Sequence, residues 1–147
     1  MMERSFVVEV PNDVRAIERT VELVVRRCRT CEGMARKFHL NFRVGLAEAL
    51  ANAMLYGNGS DPGKRVRVDV TVSPSRVSAR VTDQGDGFDP ASVQDPTTPE
   101  NLLRTGGRGL FLMRKLLDEV RFNDRGNSVT LVLMLEEAAP LDEAASA

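Results

Sequence analysis

A glycine-rich run, Gly106-Gly107-Arg108-Gly109-Leu110, precedes an apolar helical pattern in the last third of the chain. Glycines at the entry to a helix leave the first backbone N–H groups accessible at the positive end of the helix dipole, where phosphate oxygens bind. The arginines Arg104 and Arg108 can add positive charge to the same oxygens. The run therefore predicts a phosphate cradle, and a flexible hinge before the helix is the alternative interpretation.

A carboxylate and an amide stand among apolar residues in a second helical pattern. Glu48 and Asn52 are four residues apart in a helix predicted from about residue 35 to residue 56, so they share one face. Burying a polar group without a partner costs about 2–7 kcal/mol, so the two side chains require partners. The alternatives are a helix face open to solvent and side chains bonded to the backbone.

Asp83 ends a predicted hairpin of strands at 65–72 and 76–83. Counting by twos from the apolar residues of the second strand places its carboxylate on the inward face of the sheet. Gly85 and Gly87 follow, and paired glycines let a backbone approach a flat ligand closely. An Asx-type turn or strand-end cap at Asp83, followed by an ordinary loop, is the alternative.

The elements that position these residues follow from periodicity. We expect a strand at 5–10, a helix capped by Asn12, and the helix at 35–56 with Gly57 as its left-handed cap. After the hairpin come a lid-like segment at 84–105 without periodicity, a helix beginning after Gly107, and two strands at 120–122 and 129–135. This order predicts an α/β two-layer sandwich with a mixed, mostly antiparallel sheet and helices on one face.

Composition places the chain among single-domain globular proteins. It has 147 residues, 42% of them hydrophobic, and a formal net charge of -1, without the basic excess typical of nucleic-acid binders. No apolar run reaches the roughly 20 residues that span a bilayer, and no signal segment is recognisable, so we expect a cytoplasmic protein. We predict one domain over residues 1–136 and a frayed acidic, Ala-rich tail at 137–147. Cys28 and Cys31 fit free thiols better than a redox or zinc site.

Taken in chain order, these motifs resemble the nucleotide site of the GHKL ATPase/kinase superfamily. Residues 48–53 with 56–58 look like its N box, 83–89 like its first glycine box, and 107–113 with 117–120 like its second. In these forms the chain is similar to the anti-sigma factor serine kinases of the RsbW/SpoIIAB type, over roughly residues 5 to 135. The resemblance implies a Bergerat-type ATP-binding fold, with ATP and Mg²⁺ as cofactors.

The resemblance also implies residue roles. Glu48 corresponds to the general base, Asn52 to the Mg²⁺ ligand, and Asp83 to the acceptor of the adenine amino group. Either Ser128 or Thr130 takes the place of a threonine that relatives often carry near the adenine, and either Arg104 or Arg108 is the basic lid residue at the γ-phosphate. The remaining implied contacts are to the purine or the phosphates: Gly85, Gly87, Thr105, Gly106, Gly107, Gly109 and Leu110.

The function implied is that of a serine/threonine protein kinase and anti-sigma factor. It would sequester a sigma factor and phosphorylate a STAS-domain anti-anti-sigma protein, as a homodimer with no direct nucleic-acid or membrane partner. Two alternatives stay open: an ATP-binding switch module without phosphotransfer, and a detached histidine-kinase catalytic domain. Glu48 separates them in part, since histidine kinases generally lack an acid at that position.

Overall fold

The computed structural model describes residues 3–28, 38–86 and 107–135. The helices are α1 Ile17–Cys28, α2 Arg43–Asn52 and α3 Gly107–Leu116. A 3₁₀ turn at Val14–Ala16 precedes α1, and π-helical turns at Phe38–Phe42 and Ala53–Gly57 extend α2 at both ends. We call the continuous helical stretch at 38–57 the α2 segment. The strands are β1 Arg4–Pro11, β2 Arg65–Val72, β3 Arg76–Thr82, β4 Glu119–Phe122 and β5 Ser128–Met134.

The five strands form one sheet in the order β1-β2-β3-β5-β4. Every pairing among the described strands is antiparallel, including the predicted hairpin of β2 and β3. The predicted α/β class is confirmed, but the sheet of the described strands is fully antiparallel and not mixed. The reason is that β4 runs in the same direction as β3 while β5 lies between them and pairs with both.

The hydrophobic core lies between one face of the sheet and the helices, as a two-layer sandwich requires. Alternate strand residues such as Val68, Ala79 and Leu131 are fully buried in one cluster with Phe42 and Leu50 of the α2 segment. Burying a large aliphatic or aromatic side chain contributes roughly 1.5–3 kcal/mol, so this cluster holds the helices in place on the sheet.

Helices α2 and α3 pack closely and run in opposite directions. A Cβ atom added to Gly45 would lie 2.7 Å from Leu117 Cδ1, whereas one added to Gly109 would lie 2.8 Å from Glu48 Oε1. The side chain of Asn41 donates a hydrogen bond of 3.0 Å to the carbonyl of Leu116, just before Leu117. The antiparallel packing therefore brings the beginning of α3 beside the C-terminal half of α2.

Two predicted caps are wrong. Asp13, not Asn12, caps the first helical turn, since its side chain accepts a 2.9 Å hydrogen bond from the Arg15 N–H while Asn12 is buried with other partners. Gly57 is not left-handed, because the left-handed residues after α2 are Gly59 and Ser60, each with a φ of 61°. Position 57 requires glycine because its backbone packs closely against the Asp83 carboxylate.

The other predictions fall partly outside the described residues. Cys28 is a free, buried thiol, whereas Cys31 lies outside. So do residues 87–105 of the lid-like segment, and the tail at 137–147. Within the part that is described, none of the helices combines the length and apolar character that crossing a bilayer requires.

Candidate functional site

The structure brings Glu48, Asn52 and Gly109, three of the predicted site residues, together. A methyl group on Gly109 would lie 2.8 Å from Glu48 Oε1, 3.2 Å from Asn52 Nδ2 and 3.4 Å from Asn52 Oδ1. Both α2 side chains therefore lie against the Cα of Gly109, in the first turn of α3. A side chain at position 109 would enter the space that the carboxylate and the amide share, so both groups would have to shift.

Glu48 and Asn52 are half-buried and make no side-chain hydrogen bond or ion pair within the described residues. Polar groups in this state are open to a ligand. Carboxylate and amide oxygens are the donors that Mg²⁺ accepts, and this ion keeps several waters when one or two protein side chains hold it. No cluster of three or more His, Cys, Asp and Glu side chains exists in the described ranges. The residues present thus fit Mg²⁺ shared with a phosphate ligand, rather than an all-protein metal cage.

The backbone at the beginning of α3 supplies N–H groups on the same side of the molecule. The first four N–H groups of an α-helix have no partner within the helix, and they carry the positive end of its dipole. The first turn of α3 contains no acidic side chain that would offset this charge. Gly107, Arg108, Gly109 and Leu110 form this turn, so their backbone is suited to bind an anion beside Glu48 and Asn52.

A second cluster lies around Asp83, immediately after β3. Its Oδ1 accepts a 2.8 Å hydrogen bond from the Gly85 N–H, and its own N–H donates a 2.9 Å hydrogen bond to the carbonyl of Asn127. A Cβ on Gly57 would overlap the Asp83 carboxylate, and one on Gly85 would overlap the Gly57 carbonyl. Glycines at both positions therefore allow the end of α2 and the segment after β3 to meet.

Burial raises the pKa of Asp83 above its ordinary value of 3.8, and the hydrogen bond from Gly85 and the charge of Lys64 only partly oppose this. The side chain is half-buried, and its Oδ2 accepts no hydrogen bond within the described residues. A desolvated carboxylate with one free oxygen is a strong acceptor for a donor group of a ligand.

Two buried asparagines connect the elements around Asp83, and sequence reasoning assigned them no role in the site. Asn58 is 2% exposed, and its Oδ1 accepts a 2.7 Å hydrogen bond from the N–H of Gln84, the residue after Asp83. Its Nδ2 donates to Asn12 Oδ1 at 3.0 Å. Asn58 stood within the N-box-like segment, but nothing in the sequence indicated Asn12 as its partner, 46 positions earlier.

Comparison with known proteins shows which family has this fold. Residues 10–133 match the family model of the histidine kinase-like ATPase domain. The chain belongs to this family. The predicted membership in the GHKL superfamily, which includes histidine kinases, is thereby confirmed.

Individual known proteins also resemble the chain over most of its length. The serine-protein kinase RsbW of Bacillus licheniformis is 34% identical over 119 residues, covering 72% of this chain and 74% of the relative. RsbW of Oceanobacillus iheyensis is 23% identical over 128 residues, covering 78% and 81%. The solved structure of the mycobacterial sensor histidine kinase MprB aligns with a TM-score of 0.53 and 18% identity, covering 91% of this chain and 99% of that one, which supports the fold. The predicted resemblance to RsbW-type kinases is confirmed.

Two other predicted site residues, Ser128 and Thr130, lie in β5 on the face of the sheet that points away from the helices. Ser128 pairs with Thr82 and Thr130 with Arg80, and strand alternation directs both away from the helices, because Val129 between them belongs to the core. It is the backbone of Asn127, not either hydroxyl, that contacts Asp83. Gly87, Arg104, Thr105 and Gly106 lie outside the described residues, as does the side chain of Arg108.

Proposed function

We propose that this chain is an ATP- and Mg²⁺-dependent serine/threonine protein kinase that acts as an anti-sigma factor. One observation carries the proposal: the α2 segment contacts both clusters of candidate site residues. Glu48 and Asn52 lie against the first turn of α3, and Gly57 lies against Asp83. Glu48 and Gly57 are nine residues apart, at most about 14 Å along the helix at the α-helical rise of 1.5 Å per residue, a separation that an extended nucleoside triphosphate spans.

In this proposal Asp83 recognises the base. Its free Oδ2 accepts a hydrogen from the 6-amino group of adenine, while the Gly85 N–H holds Oδ1 in place. Gly57 and Gly85 carry no side chain because their backbones pack against Asp83 and against each other, and the backbone at this contact is the proposed surface for the purine. Gly87 is proposed to continue this surface.

The triphosphate lies at the other end, over the beginning of α3. The N–H groups of residues 107–110 bind phosphate oxygens, with Thr105, Gly106 and the lid arginines Arg104 and Arg108 as further proposed contacts. Asn52 would hold Mg²⁺ together with the phosphates, and the ion supplies neutralisation of their negative charge.

Glu48 is the proposed general base. A serine or threonine hydroxyl of the protein substrate attacks the γ-phosphorus in line, ADP leaves, and the Glu48 carboxylate takes the hydroxyl proton. The carboxylate is suited to this role because no described residue binds it and because it lies at the phosphate end of the site.

The partners are proposed from the kinship with RsbW-type kinases. They are a STAS-domain anti-anti-sigma protein as phosphate acceptor and a sigma factor as the sequestered protein, in the cytoplasm and without direct contact to nucleic acid. The outer edge of β1 has no strand partner within the described residues, which supports a homodimer.

The deciding experiment is phosphotransfer from γ-labelled ATP to a purified STAS-domain protein. Glu48→Gln should keep ATP affinity and lose transfer by about 10²–10⁴-fold, the usual contribution of a general base. Glu18→Gln, on the exposed side of α1, is the matched control and should transfer at the wild-type rate.

The outcomes separate the proposed function from its alternatives. Transfer by Glu48→Gln at the wild-type rate would refute the general-base role. Binding of ATP without transfer by the wild-type protein would favour the switch module. An acid-labile phosphohistidine, in place of acid-stable phosphoserine or phosphothreonine, would favour a histidine-kinase domain.

A further inference from the structure

A pair of buried asparagine side chains connects four elements behind the proposed adenine end of the site. Asn58 follows the α2 segment, and Asn12 follows β1. Asn58 Nδ2 donates to the carbonyl of Arg65, the first residue of β2, at 3.1 Å. Asn12 Nδ2 donates to the carbonyl of Met54 at 3.3 Å and to that of Asp61 at 2.9 Å.

Both donor hydrogens of each amide are used, and each amide oxygen accepts a hydrogen bond. Each side chain consequently has one favourable orientation, because rotating either amide by 180° would place oxygen against oxygen and N–H against N–H. A fully satisfied buried polar network is rigid, since breaking any member leaves its partner unsatisfied in an environment without water. The pair is thus a fixed point in the structure, unlike the exposed ion pairs on the outer face of the sheet.

The amide oxygen of Asn58 connects this rigid pair to the segment after β3. It accepts the N–H of Gln84 at 2.7 Å, directly between Asp83 and Gly85. The Gln84 side chain adds a second connection, because its Oε1 accepts the Arg65 N–H at 2.6 Å. The peptide that carries the Asp83 carboxylate is therefore held on one side by Asn127 and on the other by Asn58.

We propose that Asn58, supported by Asn12, is a positioning residue that fixes the Asp83 carboxylate for base recognition. The inference rests on the proposed function, in which Asp83 accepts the adenine amino group. Asn58 does not touch the nucleotide. It acts through the Gln84 N–H, so its loss lets the peptide after Asp83 rotate and removes Oδ2 from its place beside Gly57.

The probe is a pair of nucleotides: ATP and purine riboside 5′-triphosphate, which lacks only the 6-amino group. A hydrogen bond to a charged group contributes enough for wild-type protein to prefer ATP by roughly ten- to a hundredfold. Asn58→Ala should lower this preference at least fivefold while leaving affinity for purine riboside triphosphate within about threefold. Asp83→Asn should abolish the preference, and the double variant should show no further loss, because the two residues act as one unit.

Two further variants keep the test decisive. Asn12→Ala removes the support of Asn58 but leaves the hydrogen bond between Asn58 and the Gln84 N–H, so the preference for ATP should fall by less than in Asn58→Ala. The Asn12 variant replaces Asn58→Ala in the test if that variant does not fold. Asn41→Ala removes an amide-to-carbonyl bond at the opposite end of α2 and should keep the wild-type preference.

The possible results are distinguishable. Equal weakening of both nucleotides in the Asn58 and Asn12 variants, with an unchanged preference for ATP, would overturn the positioning role and leave the proposed function intact. A preference that survives Asp83→Asn would instead refute the adenine-acceptor role, and the positioning inference with it.

Discussion

Gly109→Ala tests the contact on which the proposed phosphate end of the site depends. Position 109 lies in a helix, where alanine is ordinarily better than glycine by about 0.5–1 kcal/mol. The new methyl group would, however, lie 2.8 Å from Glu48 Oε1, and an ordinary contact begins at 3.4 Å. The carboxylate must retreat by about 0.6 Å, and Asn52 must also give way, by a few tenths of an ångström.

The two consequences differ in size. Stability should change by less than about 1 kcal/mol, because the end of a flexible, half-buried side chain moves at little cost and the helix propensity gain offsets it. The rate of phosphate transfer should fall far more if Glu48 is the general base, as proposed, since misplacing a reacting group by about 1 Å costs roughly 10²-fold in rate. We therefore expect Gly109→Ala to fold normally and to transfer phosphate roughly ten- to a hundredfold more slowly.

Thermal unfolding and single-turnover transfer to a STAS-domain acceptor measure the two effects separately. Gly45→Ala is the matched control, since its methyl group would press on Leu117 at the other end of the same helix pair, 2.7 Å from Cδ1. It should lower stability by about 1–3 kcal/mol through overpacking and leave the rate of the folded protein unchanged. A wild-type rate in Gly109→Ala, or an equal rate loss in both variants, would refute the reasoning.

Three further predictions concern Asp83 and Cys28. Gly85→Ala should destabilise by about 2–4 kcal/mol in urea unfolding, because its methyl group meets the Gly57 carbonyl, which as backbone cannot move aside. The raised pKa of Asp83 means that the folded state binds its proton more tightly, so stability falls as pH rises from 3.8 through the raised value; Asp83→Asn should remove this dependence and raise the melting temperature at pH 7. Burial raises the pKa of Cys28 to about 12, so in a Cys31→Ser variant iodoacetamide at pH 8 should label only unfolded protein.

Local patterns were sufficient to predict the elements and the direction of several candidate side chains. The alternation of valines in β2 and β3 gave the hairpin and the inward direction of Asp83, because strand side chains alternate with a fixed period of two. Helical spacing likewise placed Glu48 and Asn52 on one face. These are properties of a few neighbouring residues, so they do not depend on the rest of the chain.

The caps at Asn12 and Gly57 could not be predicted in this way, because their partners are distant in sequence. Asn12 has the right chemistry for a helix cap, but Asn58 and two backbone carbonyls compete for it in the folded chain. Gly57 has the right position for a left-handed cap, but this residue is a glycine because Asp83 and Gly85 approach its backbone too closely for a side chain.

The sequence by itself determined which residue types are available and which face of each helix or strand carries them, since backbone geometry fixes both. Only the tertiary structure decided which of them meet. The antiparallel packing of α2 on α3 puts Gly109 against Glu48 and Asn52, and the placement of β5 beside β3 turns Ser128 and Thr130 away from the helices. Such contacts arise from burying apolar surface across the whole domain, a global free-energy balance that no local stretch of residues contains.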